Sequence, residues 1–230
     1  MTIDHNVFET LPAEDLSNIL PRILDGDILL CAATDLGSRV ISWSTRSCWT
    51  HVAMAYRWSS LGRIMAFESV HTIGVRSIPL ATFIERTSSG VTPYPGKIIL
   101  ARHEEFSRRL QEQPDAVRRL GDFAVDRFGD PFASKEILKI AGRVILGRVR
   151  TRMPKPLAPE NEFICSEYVA KCLETAGVTI GWDGAGFVAP ADIARDPGVR
   201  AIAQFDTRAL RQYGRRQAKP SQAKPSQAKP

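Results

Sequence analysis

The sequence EFICSEYVAKC, residues Glu162–Cys172, has the residue pattern of a helix together with the approach to its N-terminus. Asn161 is suited to cap this helix, and Gly177 stands where a helix commonly ends. Cys165 falls in the first turns, where free backbone N–H groups and the helix dipole favour a thiolate. The competing interpretation is packing, because Cys165 and Cys172 share a helical face and free cysteine is a common core residue. Taken alone, the stretch favours packing, so the rest of the chain has to decide.

The length and composition of the chain indicate a single globular domain. The 230 residues are enough for one well-buried domain and short for two. No run approaches the roughly 18 apolar residues that a membrane helix needs. Residues 1–11 include Asp4 and Glu9 but no lysine or arginine, which is unlike a secretory signal. We therefore expect a cytoplasmic protein, with export by a non-classical route left open.

The basic charge of the chain is concentrated at its C-terminus. Residues 207–230 carry seven lysines and arginines and no acid, so the formal net charge of +6 becomes −1 without these seven. This tail ends in QAKPS repeats, a unit too short to bury a core, and we predict that it is disordered. The remaining body has neither a zinc finger nor a basic recognition helix, so we expect no nucleic-acid partner.

Short apolar runs predict a sheet. After an N-terminal arm (1–24) with a short helix at Pro12–Ile19, we predict strands over 28–31, 51–56, 64–69, 73–78, 97–102 and 199–205. The close connections between several of these strands favour antiparallel pairing.

Helical periodicity dominates after residue 102. We predict helices over 114–128 and 134–149, then the Cys165 helix and a short structured segment at 188–194, besides a brief helix at 38–43. The predicted fold class is therefore α+β, with a small antiparallel sheet packed against helices. One catalytic domain is expected over residues 25–206, between the arm and the tail.

Three residues of the types that cysteine acyl chemistry requires stand in suitable settings. Cys165 lies near a helix start, His51 at the entrance of a strand, and Glu68 on a neighbouring strand. A thiol attacks a carbonyl well only as a thiolate, so it needs an imidazole to take its proton and a polar group to orient that imidazole. This pattern suggests Cys165 as nucleophile, His51 as general base and Glu68 as the group that orients His51. The structural alternatives are a core histidine at 51 and an exposed strand carboxylate at 68.

Other residues compete for these roles. Asp27 and Glu167 are alternative carboxylates for the third position. His5 lies in the arm and His71 in an apparent turn, while His103 is followed by two glutamates, where a solvated strand edge is expected. His51 is thus the least contested candidate base.

The glutamates around the candidate nucleophile oppose the scheme. Glu160, Glu162 and Glu167 bring negative charge near Cys165, which raises the pKa of a thiol. The helix dipole and a protonated His51 have to outweigh them.

Metal and membrane interpretations are weaker. Cys48 and His51 have the spacing of half a zinc site, but a second pair of ligands is missing, so we expect neither a metal nor another cofactor. The predicted 134–149 helix carries basic residues opposite an apolar stripe, as a helix in weak contact with a membrane surface does. Packing of that stripe on a core is the commoner explanation.

The motifs, taken in order, resemble the circularly permuted papain-like amidases of the NlpC superfamily, the YiiX/YaeF-like set. The matching segments span about residues 25–195 and are GDIL at 26–29, THVA at 50–53, AFE at 66–68, FGDPF at 128–132, FICSEYV at 163–169 and VAPADI at 188–193. Permuted members carry histidine, polar residue and cysteine in that order along the chain, which here gives His51, Glu68 and Cys165. The resemblance implies a permuted papain-like fold with the nucleophile at a helix N-terminus.

The same resemblance implies a cysteine hydrolase that cleaves amide bonds of peptides or of peptidoglycan through an acyl-enzyme. The alternatives are a phospholipase or lipid acyltransferase of the lecithin:retinol acyltransferase type, and a catalytically inactive binding module. The expected partner is accordingly a small peptide, a muropeptide or a lipid. The sequence leaves open which of these is the substrate, and it does not indicate an oligomeric state.

Overall fold

The computed structural model describes residues 3–33, 42, 45–71, 73–85, 94–113, 115–132, 164–181 and 188–207. Three predictions lie outside these residues: the helix at 38–43 apart from Ser42, the helix at 134–149, and the disorder of the tail beyond residue 207.

The described residues form seven strands of one sheet. Six of them match predicted strands and are β2 (Ile28–Ala33), β3 (His51–Trp58), β4 (Arg63–Val70), β5 (Gly74–Pro79), β6 (Gly96–His103) and β7 (Val199–Phe205). The remaining strand, β1 (Ala13–Glu14), replaces the start of the helix predicted over Pro12–Ile19, so that prediction is confirmed only over Leu16–Ile19 and is wrong before it. Its two residues pair with Gln204 and Phe205 of β7, and this long-range pairing overrides the local helix signal.

The strands lie in the order β1-β7-β6-β2-β3-β4-β5 across the sheet. β1 and β7 run parallel, whereas every other neighbouring pair is antiparallel. β3, β4 and β5 follow one another both in the chain and in the sheet. The predicted α+β class with a mostly antiparallel sheet is confirmed.

The described part of the chain contains seven α-helices. They are α1 (Val7–Thr10), α2 (Leu16–Ile19), α3 (Leu80–Glu85), α4 (Glu104–Glu112), α5 (Ala116–Asp126), α6 (Cys165–Glu174) and α7 (Pro190–Arg195). α5 confirms the helix predicted at 114–128, with shorter ends, and α4 was not predicted. None of these described helices has the length and apolar character needed to cross a membrane.

Each face of the sheet buries a hydrophobic core. Alternation along β2 places Ile28 and Leu30 in the first core and Leu29 in the second. Residues of α4, α5 and α6 belong to the first core, and residues of α2 and α3 belong to the second. The Cys165 helix is therefore a first-core element.

The predicted N-terminal arm packs onto the domain that follows it. The Ile3 N–H donates to the Ala194 carbonyl at 2.9 Å, and Trp49 Nε1 donates to the Ile3 carbonyl at 2.8 Å. Ile19 and Ile23 are fully buried in the second core. Residues 3–24 thus share the cores of the domain.

The segment after α5 covers the edge of β5, the last strand of the sheet. The Gly129 N–H donates to the Val75 carbonyl, and the Val75 N–H donates to the Asp130 carbonyl, both at 2.9 Å. Gly74 has φ +87°, and a Cβ there would lie 2.1 Å from the Asp130 carbonyl oxygen. Only glycine fits this position, because both the backbone conformation and the close approach exclude a side chain.

Candidate active site

Cys165 is the first residue of α6. The N-cap is Ile164, whose backbone is extended (φ −78°, ψ 152°) and whose carbonyl accepts from the Tyr168 N–H at 3.0 Å. The prediction of Asn161 as N-cap is wrong: Ile164 makes no side-chain capping bond, and its burial in the first core sets the turn into the helix. Cys165 consequently lies among the N–H groups that have no partner within the helix, at the positive end of its dipole.

The other end of α6 confirms Gly177 as its stop signal. Gly177 has φ +76°, its N–H donates to the Glu174 carbonyl at 2.9 Å, and the Val178 N–H donates to the Leu173 carbonyl at 3.2 Å. These two bonds make the Schellman arrangement that glycine favours.

Two buried hydroxyl groups anchor α6 to its neighbours. Ser166 Oγ donates to the Val188 carbonyl at 2.6 Å, and the Tyr168 hydroxyl donates to the Ala124 carbonyl at 3.1 Å. Both residues are fully buried. The backbone next to Cys165 is therefore held from two directions.

His51 and Glu68 are brought together on adjacent strands. His51 Nε2 lies 2.8 Å from Glu68 Oε2. The strand entrance of His51 is held by Thr50, whose N–H donates to the Cys31 carbonyl at 2.9 Å and whose hydroxyl accepts from the Ala33 N–H at 3.0 Å. The His51 ring also stacks on Phe83, with ring centroids 6.2 Å apart. The imidazole therefore has a defined position and orientation.

Glu68 is a buried carboxylate with two cationic neighbours. Its side chain is only 4% exposed. Its second oxygen, Oε1, accepts from Arg76 Nε at 2.8 Å and lies 2.6 Å from Arg76 Nη2. Burial acts to raise the pKa of Glu68, but hydrogen bonds and charge attraction from His51 and Arg76 outweigh it and lower that pKa. Glu68 is thus held in its ionised form.

Cys165 completes this line of side chains. Its side chain acts on His51 through a hydrogen bond and through charge. Burial acts to lower the pKa of His51, but hydrogen bonds and charge interactions with Cys165 and Glu68 outweigh it and raise that pKa from 6.5 to about 10. An imidazolium in contact with a cysteine at neutral pH is the arrangement that a thiolate nucleophile needs.

The contact between His51 and Cys165 lies beyond the point where β3 and β4 stop pairing with each other. Hydrogen-bonded pairing of β3 with β4 ends at Met54 and Phe67, although both strands continue beyond this pair. Alternation places His51 on the same sheet face as Ala53, in the second core, whereas Cys165 belongs to the first core. α6 packs against both strands, and its N-terminus meets the histidine where these two strands no longer pair with each other.

Asp27 does not take part in this arrangement. It is fully buried and accepts from Arg102 Nε at 2.7 Å, from Arg102 Nη2 at 2.8 Å and from the Leu24 N–H at 2.8 Å. Burial raises the pKa of Asp27, and these partners only reduce that effect. Glu167, the other competing carboxylate, is half-buried on α6. His51 is hydrogen-bonded to Glu68 and not to either of them.

His103 corrects a further expectation. A solvated strand edge is predicted there, yet His103 is only 6% exposed. It is the N-cap of α4: its Nδ1 accepts from the Phe106 N–H at 3.2 Å, and its Nε2 lies 3.4 Å from Asp196 Oδ1. The expectation failed because α4, which begins directly after β6, was not foreseen.

The other cysteines remain packing residues. Cys172 is fully buried, and burial raises the pKa of its thiol, which confirms the packing interpretation for this residue. Cys31 is also fully buried and lies opposite His51 in the β2–β3 ladder. Within the described residues, no three His, Cys, Asp or Glu side chains are grouped to hold a metal ion, so Cys48 and His51 gain no third ligand there.

Arg76 is the member of the site that sequence reasoning missed. It lies on β5 directly opposite Glu68 in the β4–β5 ladder. The signal was present in the predicted hairpin, because residues 68 and 76 are equally distant along the chain from its bend at 72. Opposite charges at facing positions of a hairpin attract each other.

Comparison with known proteins supports the fold alone. No family model matches the chain, and neither does any curated protein. Among solved structures, the fold is similar to the crystal structure of the metalloprotein YiiX from Escherichia coli O157:H7 (DUF1105). The TM-score is 0.53 at 18% sequence identity, and the match covers 78% of this chain and 96% of that chain. The chain therefore has a YiiX-like fold.

Proposed function

We propose that this protein is a cysteine hydrolase with a circularly permuted papain-like fold, which cleaves amide bonds through an acyl-enzyme on Cys165. The observation that carries the proposal is the hydrogen-bonded line from Cys165 through His51 to the buried carboxylate of Glu68. The order of these residues along the chain is that of the permuted NlpC-type amidases that the sequence resembles. The YiiX-like fold supports only the part of the proposal that concerns the fold.

In the proposed reaction, His51 takes the proton of the Cys165 thiol and the sulfur attacks the carbonyl carbon of the substrate. The carbonyl oxygen becomes an oxyanion, for which the N–H of Cys165, without a partner inside α6, is a suitable donor. His51 then gives its proton to the leaving amine, and the C–N bond breaks to leave a thioester. Water attacks this thioester while His51 accepts its proton, and release of the carboxylic acid restores the thiol–imidazole pair. Glu68 stabilises the imidazolium that forms in both halves of the reaction.

The geometry favours this proposal over an inactive binding module. A module without catalysis has no requirement for a cysteine at a helix N-terminus in contact with a histidine that a buried carboxylate orients. A helix N-terminus and a neighbouring histidine are settings typical of reactive cysteines. Glu160 and Glu162, two of the glutamates expected to oppose a thiolate, lie outside the described residues. The third, Glu167, is described and is half-buried.

Covalent labelling tests the proposed nucleophile and base. We expect a thiol-reactive acyl probe to label wild-type protein at Cys165, with labelling lost in Cys165→Ala and strongly reduced in His51→Ala. Cys172→Ala serves as the matched control, because that cysteine lies on the same helix but is fully buried. Circular dichroism checks that each variant is folded. Labelling that survives Cys165→Ala would show that the nucleophile is another residue.

The substrate class is the second part of the proposal. We favour peptide or peptidoglycan-type amides over lipids because the segments that resemble the permuted NlpC-type amidases carry all three site residues: THVA holds His51, AFE holds Glu68 and FICSEYV holds Cys165. A peptide amide library and phospholipid vesicles, assayed side by side, separate an amidase from a phospholipase or lipid acyltransferase. Each assay is run with EDTA, which we expect to leave turnover unchanged because the proposed chemistry uses only protein side chains. Turnover confined to the vesicles would overturn the amidase assignment.

A further inference from the structure

The carboxylate of Glu68 contacts two cationic side chains, one at each of its oxygens. Both Nε and Nη2 of Arg76 contact Oε1, at 2.8 and 2.6 Å, while His51 Nε2 contacts Oε2 at 2.8 Å. The Glu68 side chain is 4% exposed, whereas the Arg76 side chain is 34% exposed. Arg76 thus approaches the buried carboxylate from the outer edge of the sheet, on the side away from His51.

The four side chains form a line of alternating charge when Cys165 is a thiolate. Cys165 and Glu68 are negative, and His51 and Arg76 are positive, so the line is neutral as a whole. Without Arg76 the same line carries one net negative charge in a largely buried place. Such an excess makes every group in the line hold its proton to a higher pH.

We propose that Arg76 is a positioning residue that keeps Glu68 ionised and directed at His51, and that it thereby sets the pH above which Cys165 becomes reactive. This inference rests on the proposed cysteine chemistry and assigns Arg76 no contact with substrate. The register of the hairpin supports the assignment, since Glu68 and Arg76 are direct partners in the ladder. An ion pair between two exposed side chains contributes little, because water and salt screen it. Arg76 instead contacts a carboxylate that is only 4% exposed.

Several other titratable groups lie on the elements packed around this line. They are Cys31 on β2, Glu167 on α6, His71 after β4, Asp130 beside β5 and Tyr94 before β6. All of them stay in place in the variants described next, so their influence is the same on both sides of each comparison.

The rate at which iodoacetamide alkylates Cys165, measured across a range of pH by peptide mass spectrometry, tests the inference without any substrate. We expect Arg76→Met to move the acid limb of this profile upward by about one pH unit, the size of effect that one charge has across a partly buried site. At a pH within that limb, alkylation slows about tenfold. Arg76→Lys restores a positive charge and should move the limb by less than Arg76→Met does. Arg76→Gln provides a second neutral variant in case the methionine variant does not fold.

Arg200→Met is the matched control. Arg200 also lies on a strand, is 40% exposed and has a carboxylate neighbour, with its Nε 3.6 Å from Glu104 Oε1, but it is on β7 and away from the site. We expect its alkylation profile to coincide with that of the wild type. The fold of every variant is checked by its urea unfolding midpoint.

The outcomes separate the inference from the proposed function. If folded Arg76→Met or Arg76→Gln protein is alkylated more slowly by one constant factor at every pH, Arg76 has a structural role only and the inference is wrong. An unchanged profile also overturns it. If His51→Ala has the same profile as the wild type, the thiol–imidazole pair itself fails, and with it the proposed function. An acid limb that moves up in Arg76→Met, less in Arg76→Lys and not in Arg200→Met supports the inference.

Discussion

Replacement of Glu68 by glutamine removes one negative charge from the line between Cys165 and Arg76 and keeps the size of the side chain. The amide can still accept a hydrogen bond from His51, so the change is mainly electrostatic. We expect the imidazolium form of His51 to lose stability, because the carboxylate 2.8 Å from its Nε2 becomes neutral.

The magnitude follows from the raised pKa of His51. Burial opposes the charge, yet Cys165 and Glu68 together hold the pKa at about 10 instead of 6.5. This difference corresponds to about 5 kcal/mol in favour of the imidazolium. Cys165 is the larger contributor, and a share of about 2 kcal/mol for Glu68 lies below the upper limit of about 4 kcal/mol for a unit charge pair roughly 4 Å apart near a protein surface.

The expected result is a fall of about 1.5 in the pKa of His51, since each pKa unit corresponds to about 1.4 kcal/mol. NMR titration of the His51 ring measures it directly.

Glu105→Gln is the control for this prediction. Glu105 accepts hydrogen bonds from Arg108 and Arg109, as Glu68 does from Arg76, but it lies on the exposed side of α4. We expect it to leave the His51 titration unchanged. If Glu68→Gln likewise leaves the His51 pKa at its wild-type value, the carboxylate does not act on His51 and the reasoning about the site is refuted.

Two further predictions concern stability. Gly74→Ala should lower the unfolding temperature by roughly 4–8 °C, which corresponds to about 2 kcal/mol of backbone strain and steric conflict with the Asp130 carbonyl. Gly62 also has a positive φ but has open space around it, so Gly62→Ala should lower the temperature by less. Equal effects of the two variants in calorimetry would contradict the role of the close approach. The second prediction is a pH dependence. The raised pKa of His51 adds stability that is complete below pH 6.5 and is lost as the pH rises through about 10, and the lowered pKa of Glu68 adds stability that is present above pH 4.5 and is lost on acidification. Urea unfolding of His51→Gln should therefore vary less with pH on both flanks than that of the wild type, and parallel curves would contradict this.

Local sequence patterns were sufficient to predict most of the sheet and the position of the Cys165 helix. Alternating or continuous apolar runs mark six strands, and Gly177 marks the end of α6. These features depend on a few neighbouring residues, so they survive in any tertiary context that buries the apolar side. The same holds for the choice of His51 as candidate base, because its flanking apolar residues already identify a strand.

Features that depend on long-range contact were missed or wrongly predicted. β1 forms because two residues near Pro12 pair with β7, and α6 begins at Cys165, with the buried Ile164 as its N-cap in the first core. His103 is buried because α4 begins beside it. In each case a partner far along the chain, or an unforeseen element, outweighs a local preference of at most about 1 kcal/mol.

By itself, the sequence determined which side chains are available for the chemistry and the order in which they occur, because residue type and local periodicity are properties of the chain. It could not determine that Glu68, rather than Asp27 or Glu167, meets His51. Only the tertiary structure decided this, through the register of β3, β4 and β5 and through the packing of α6 where β3 and β4 no longer pair with each other. The physical reason is that hydrogen bonds and pKa shifts depend on distances of a few ångströms. Between residues as far apart in the chain as 51 and 165, only the packing of helices on the sheet sets such distances.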